Sequence, residues 1–286
     1  MDYTQLVLDW NDRWLRNAPP KPYQNHRVIV YVTGEDRWCA DTQWPLTGSV
    51  PTSIYLSEGN HLSFDNPVAG DAYDSFEYDP NQPHRAPSVV QGAADLSKYL
   101  GAANLLVYTS DPLQQPLELG GPVRFTLYGA SNATDADWLV EVHDVYPDGR
   151  SILLTEGVTR ARYRNSRENP EPLTPDNVEV YTLALRGLAH TFKPGHAVRV
   201  VVTAGKVPLY ERNPNNFVDL NTYTSDDIRV GRQSVYRDQV HPSSLQVHVV
   251  QPGTSRTWIA NPVPLMPSGA KPELREMPGD TLPGAS

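Results

Sequence analysis

Proline interrupts this chain too often for a helical protein. Twenty-seven prolines are spread through 286 residues, each removing a backbone donor and fixing its own φ. A helix tolerates that only in its first turn, whereas short strands joined by turns accommodate it readily. The 19 glycines point the same way. Neither residue recurs at a fixed period, which excludes collagen-like, low-complexity, solenoid and propeller organisations.

The apolar runs between the prolines read as strands. They cover 28–32, 53–56, 105–108, 123–128, 138–145, 151–156 continuing to 163, 178–185, 198–202 and 245–249. Segment 57–71 reads as a polar loop and 79–101 as irregular, with Pro80, Pro83 and Pro87 inside it. Pro147-Asp148-Gly149 predicts a hairpin turn: proline presets φ, aspartate caps the local backbone and glycine takes the left-handed position. Many short strands with turns between them predict an all-β chain, a jelly-roll β-sandwich.

One helix is expected, over residues 2–17. Tyr3, Leu6, Val7, Trp10 and Trp14 recur at three- and four-residue steps and share a face. Asp2, Asp9, Asn11, Asp12, Arg13 and Arg16 lie mostly off it, and Ala18-Pro19-Pro20 ends it. A stripe carrying two tryptophans either folds back on the body of the chain or belongs to the edge of another domain. The organisation expected is therefore a helix at 1–17, a sandwich at 18–252 and a Pro-rich tail at 253–286 that lies on the surface or is disordered.

Charge narrows the function. A net charge of -9 argues against binding nucleic acid, which needs a basic face, and against electrostatic attachment to anionic lipid. No run approaches the ~18 apolar residues of a membrane span. The start, MDYTQLVLDW, is acidic where a signal peptide is basic, so a soluble, cytoplasmic protein is expected. The lone Cys39 can form neither an internal disulfide nor a multi-thiolate metal site.

Motifs for catalysis are missing. Gly129-Ala130-Ser131-Asn132-Ala133 lacks the second glycine of a nucleophile elbow, and no P-loop, dinucleotide fingerprint or HExxH is present. A serine site built from Ser131, Ser243 or Ser244 near His241 has no supporting spacing. His190 and His196 flank a Phe-Lys-Pro-Gly turn, where backbone-bonded histidines are expected rather than metal ligands. Asp135, Asp137, Asp226 and Asp227 are dense enough to consider calcium or glycoside hydrolysis. Asp135 and Asp137 nonetheless read as loop acids meeting water. The 15 tyrosines and six tryptophans could line a sugar-binding face, as in a stand-alone carbohydrate- or ligand-binding jelly-roll module, the alternative function, though their strand positions read as core. No catalytic residue, metal ligand or cofactor is predicted, and no ligand-binding residue is assigned.

Several segments, taken in order, closely resemble the C-terminal domain of one family. They are Asp137-Trp138, Asp144-Val145-Tyr146-Pro147-Asp148-Gly149-Arg150, Leu154-Thr155-Glu156-Gly157-Val158 and Arg160-Ala161-Arg162-Tyr163-Arg164. His190 to His196, Pro208-Leu209-Tyr210-Glu211-Arg212-Asn213-Pro214-Asn215, Val235-Tyr236-Arg237 and His241-Pro242-Ser243 continue the series. Tyr31 to Gly34, Arg37-Trp38, Trp44-Pro45, Tyr78 to Pro83, Tyr108 to Leu113 and Leu119 to Pro122 fit as well. The family is the X-Pro dipeptidyl-peptidase and cocaine-esterase (CocE/NonD) group of serine hydrolases. The resemblance runs from about Trp10 to about Gln251. It implies a galactose-binding-like jelly roll that packs on an α/β-hydrolase catalytic domain, in cis or in trans, shaping its cleft and its oligomer. It also implies that residues 2–17 are similar to the last helix of that hydrolase core. No residue matches the family's Ser-Asp-His triad. The sequence departs from the family at Ala86 to Ala94 and at Thr203-Ala204-Gly205-Lys206, and nothing familiar matches 252–286.

Overall fold

The structure, a computed structural model, describes residues 3–67, 69, 72–83 and 94–261. The departure at Ala86–Ala94, apart from Ala94, and tail residues 262–286 lie outside them. One helix, α1 (Tyr3–Leu15), opens the chain. It is followed by β1 (Val28–Val32), β2 (Arg37–Asp41), β3 (Ser49–Ser57), β4 (His61–Ser63), β5 (Tyr73–Tyr78), β6 (Leu105–Thr109) and β7 (Leu117–Ser131). Then come β8 (Asp137–Val145), β9 (Ser151–Arg160), β10 (Glu179–Phe192), β11 (Ala197–Thr203), β12 (Gly231–Tyr236), β13 (Ser244–Val250) and β14 (Thr257–Ile259).

The strands make an all-β sandwich. One layer centres on the long β7, with β10 along one edge and β13 and β12 along the other; β3 extends it beyond β13 and β5 beyond β12. The second layer runs β6-β11-β8-β9, and the single bridge His61–Thr109 joins the two through β4. Between them lies the core, where Phe125, Leu127, Tyr181 and Leu183 meet Trp138, Val140, Val142, Val198, Val200 and Val202. Trp138 rests on Gly129 of β7 and contacts the Tyr181 ring at 5.7 Å. The β8–β9 hairpin has the predicted turn: Gly149 sits at φ +89 and Asp148 Oδ1 accepts the Arg150 N–H at 3.1 Å.

β8 is buried on both faces, because residues 206–219, held in place by Arg162, cover its outer side through Lys206 and Asn213. That is why Asp137, Glu141 and His143 are interior. A separate three-stranded sheet, β1-β2-β14, sits beside the sandwich. Thr33 bridges it to His190 of β10, and Arg256 ties it down by reaching Glu118 and Asp41. β14 falls in the segment read from sequence as tail. Alternation is too short over three residues to show, and its place depends on the distant β2.

Candidate docking face and buried polar clusters

α1 touches the rest of the chain by its polar side. Asp9 accepts hydrogen bonds from the Tyr23 hydroxyl at 2.8 Å and from Gln5 at 2.7 Å, and Arg13 donates to the Gln24 carbonyl at 2.7 Å. Burial pushes the Tyr23 hydroxyl up to about 12, with help from the Asp9 carboxylate. The opposite side carries Val7, Trp10, Trp14 and Leu15, each more than half exposed. The Trp10 and Trp14 rings lie 5.7 Å apart, with the Arg13 guanidinium 5.0 Å from the Trp14 ring. Of the two readings of the stripe, folding back on the body of the chain is not what the structure adopts.

Asp135 and Asp137 do not meet water, contrary to the loop reading. Asp135 is fully buried, accepting from the Arg162 backbone N–H at 3.0 Å and from Arg162 Nε at 2.7 Å. Asp137 holds Arg160 through two bonds of 2.8 and 3.0 Å, and Asn213 Nδ2 donates to both carboxylates. The pairing register brings Asp137 opposite Arg160, so the acids were always going to face the arginines once β8 and β9 paired. Their oxygens are taken by guanidinium and amide donors, which leaves them unsuited to calcium. Asp227, by contrast, caps a short turn through the Thr224 N–H and hydroxyl, beside Asp226.

His190 and His196 are not backbone-bonded turn residues either. His196 Nδ1 lies 2.8 Å from Asp144 Oδ1, and His190 Nε2 lies 3.3 Å from Asp144 Oδ2. The turn between them returns both rings to one buried carboxylate on β8, a contact 46 or more residues long in sequence that no local pattern reveals. Sequence reading also missed a third cluster. Lys206, 1% exposed, stands 2.6 Å from Glu141 Oε1 and 2.7 Å from Glu156 Oε2, while His143 Nε2 meets Glu141 Oε2 at 2.9 Å. Burial raises the Glu141 carboxyl, but His143 and Lys206 more than offset it and hold the group at about 2. Only the departure at Thr203-Ala204-Gly205-Lys206 drew notice to this position beforehand.

The serines considered as nucleophiles are committed elsewhere. Ser131 Oγ accepts from Ala133 N–H, Ser243 Oγ from Tyr128 N–H, and Ser244 Oγ from Gln246 Nε2. His241 instead lies 3.3 Å from Asp238. Of the aromatic residues, Tyr78, Tyr108, Trp138 and Tyr181 are core side chains, as their strand positions suggest. Cys39 is a buried free thiol, pushed up by burial. Among the described residues no group of three or more His, Cys, Asp or Glu could hold a metal ion, and no helix is long and apolar enough to cross a membrane.

A β-sandwich with buried polar groups spent on internal ion pairs, and with its two most exposed tryptophans displayed on an appended helix, is built as an accessory module. The chain belongs to the X-Pro dipeptidyl-peptidase C-terminal non-catalytic domain family, whose profile matches residues 23–246. It is 30% identical over 261 residues to the cocaine esterase of Rhodococcus sp. (strain MB1 Bresler), covering 84% of this chain and 44% of the esterase. Among solved structures, an aminopeptidase from a marine sediment Thaumarchaeota archaeon superposes with TM-score 0.78 at 28% identity, covering 87% of this chain and 44% of that one. An alpha-amino acid ester hydrolase superposes with TM-score 0.77 at 29% identity, over 85% of this chain and 44% of its own. A CocE/NonD family hydrolase from Staphylococcus aureus, at 15% identity and TM-score 0.62, over 86% of this chain and 46% of its own, shares the fold. The chain thus spans less than half the length of the relatives it matches.

Proposed function

We propose that this galactose-binding-like jelly roll serves as the accessory β-sandwich of a cytoplasmic serine hydrolase that cleaves an ester or peptide bond. It docks through α1 on an α/β-hydrolase catalytic domain, in cis or in trans, supporting the shape of the cleft and self-association of the assembly. Acyl transfer through a serine nucleophile belongs to that catalytic domain, and no residue of this chain is assigned a catalytic role. The observation that carries the reading is the α1 stripe, with Trp10 59% and Trp14 58% exposed. A patch of that kind is costly in water and marks an interaction surface. The family membership, and the naming of relatives as an esterase, an ester hydrolase and an aminopeptidase, support the same chemistry.

The test is intact-mass analysis after treatment with a fluorophosphonate serine probe. The chain is expected to stay unlabelled while a hydrolase domain joined to it or co-purifying with it takes one adduct. A stoichiometric adduct on residues 3–261 would overturn the accessory reading.

A further inference from the structure

Gln233 stands in the middle of β12, fully buried, opposite Ser131 of β7 and Phe76 of β5. Among the described residues it is the one buried amide with neither its nitrogen nor its oxygen hydrogen-bonded to protein. The mismatch holds whichever end is the oxygen, and burying an unpaired amide is costly. Asn215, 1% exposed, adds a second unpaired group. Its amide nitrogen donates to the Tyr78 carbonyl at 3.1 Å and to the Arg229 carbonyl at 2.9 Å. Two acceptors fix that end as the nitrogen, so the atom left without a donor is the acceptor Oδ1. Gly231 brings the two amides together: a methyl added there would lie 3.0 Å from Asn215 Nδ2 and 3.4 Å from Gln233 Nε2. They line one space, which the glycine leaves open.

Neighbouring polar side chains are committed elsewhere. Asn213 Oδ1 accepts the Asn215 N–H at 2.8 Å, and Asn213 Nδ2 donates to Asp135 and Asp137. Ser131 Oγ accepts from the Ala133 N–H at 3.2 Å. We propose that this space binds an internal water molecule, which donates to Asn215 Oδ1 and accepts from the Gln233 amide nitrogen. A buried water needs two to four polar partners, and the two amides offer three. Both side chains are sealed from solvent, so the ligand is water rather than a larger solute. Asn215 already clamps the end of β5 and the approach to β12, where the Arg229 N–H donates to the Pro214 carbonyl at 2.9 Å. The water extends that clamp to the middle of β12, which makes Gln233 a positioning residue for the segment that covers β8. The proposal does not depend on the docking role of α1.

The test is NMR of the full chain, measuring rotating-frame cross-relaxation between water and the side-chain amide protons of Gln233. The sign of the cross-peak separates contact with a held water from chemical exchange. A contact cross-peak is expected, and a high-resolution crystal structure should show one water within hydrogen-bond distance of both Asn215 Oδ1 and Gln233. Gln233→Met keeps the length of the side chain and removes the donor. In that variant the water should be lost, and hydrogen exchange at the Asn215 and Arg229 amides should accelerate about tenfold, with β8 unchanged. A space-filling role for Gln233 would leave those amides at their wild-type rates. That result, absence of the contact cross-peak in the wild type, or a direct Gln233–Asn215 hydrogen bond in the crystal would each overturn the proposal. Should Gln233→Met fail to fold, the wild-type cross-peak and the crystal structure decide it.

Discussion

Lys206 Nζ lies 2.6 Å from Glu141 Oε1, and the lysine is sealed from solvent. Glu156 completes a buried cation between two carboxylates, with the Tyr210 hydroxyl donating to Glu156 at 3.0 Å. Removing one member of such a group strands the others, whereas replacing all of them with apolar groups of similar volume is often tolerated. Lys206→Met should therefore cost about 3–5 kcal/mol in chemical denaturation. The triple variant Lys206→Met, Glu141→Met, Glu156→Met should recover most of that loss. Equal stability of the single variant and the wild type would show that the three groups are not paired.

The same cluster sets a pH dependence with a sign at each end. Glu141 is held at about 2 against an ordinary 4.5, so its contribution is present above 4.5 and is lost as pH falls toward 2. Lys206 runs the other way. Burial alone would lower its ammonium, but Glu141 and Glu156 raise it above 10.5. Its contribution is present below 10.5 and is lost as pH rises through the higher folded value. Melting temperatures of the wild type should fall at both extremes. Glu141→Gln should flatten the acid limb, and an unchanged acid limb in that variant would refute the assignment.

Much of the architecture is legible in the sequence, because strand alternation and turn chemistry are local. The Pro147-Asp148-Gly149 turn, the β8–β9 hairpin and helix α1 can each be read from fewer than thirty consecutive residues. The polar clusters cannot. Asp135 and Asp137 look like loop acids until β8 and β9 pair, and only the register places Arg160 opposite Asp137. His190, His196 and Asp144 meet because β10 and β11 bring both rings to β8. The helical stripe was legible, but its orientation was not. Asp9 turns inward because Tyr23, fourteen residues on, offers it a donor, and that choice leaves the tryptophans outside.

Arg162 joins three segments. Its guanidinium bonds Asp135 on the approach to β8 and donates to the carbonyls of Val218 at 2.8 Å and Asn216 at 3.1 Å. Arg162→Met removes the charge partner of a fully buried carboxylate and two anchors of the 213–219 segment, at a cost of about 3–5 kcal/mol. Hydrogen exchange should accelerate first in 213–219, since the Asn216 and Val218 carbonyls lose the guanidinium that donates to them. Uniform acceleration through the core would mean that Arg162 acts on the sandwich as a whole.

Packing is equally specific at the centre of the core. A methyl group added at Gly129 would come within 2.7 Å of Trp138 Cζ2, closer than van der Waals contact permits. Trp138 is fully buried and cannot swing aside without displacing Tyr181. Gly129→Ala should cost about 1–3 kcal/mol by overpacking. Trp138→Phe in the same chain should return part of it by opening the space that the methyl needs. If the double variant is no more stable than Gly129→Ala alone, the clash lies elsewhere.

The α1 stripe gives the opposite expectation: a change in association with almost none in stability. Trp10 and Trp14 are more than half exposed and contact mainly one another and Arg13, so little folding free energy rests on them. Replacing both with serine should alter unfolding by no more than about 0.5 kcal/mol, the usual range for surface sites. The helix itself should persist, because Asp9–Tyr23 and Arg13–Gln24 hold its other side. What should change is behaviour that depends on the apolar patch. The wild-type chain alone should self-associate or bind an apolar dye, and the double variant should do so much less. When a catalytic domain is present, the same two substitutions should weaken its association while leaving each part folded. A large loss of stability would instead show that the tryptophans pack within this chain, and the docking role of α1 would fall with that result.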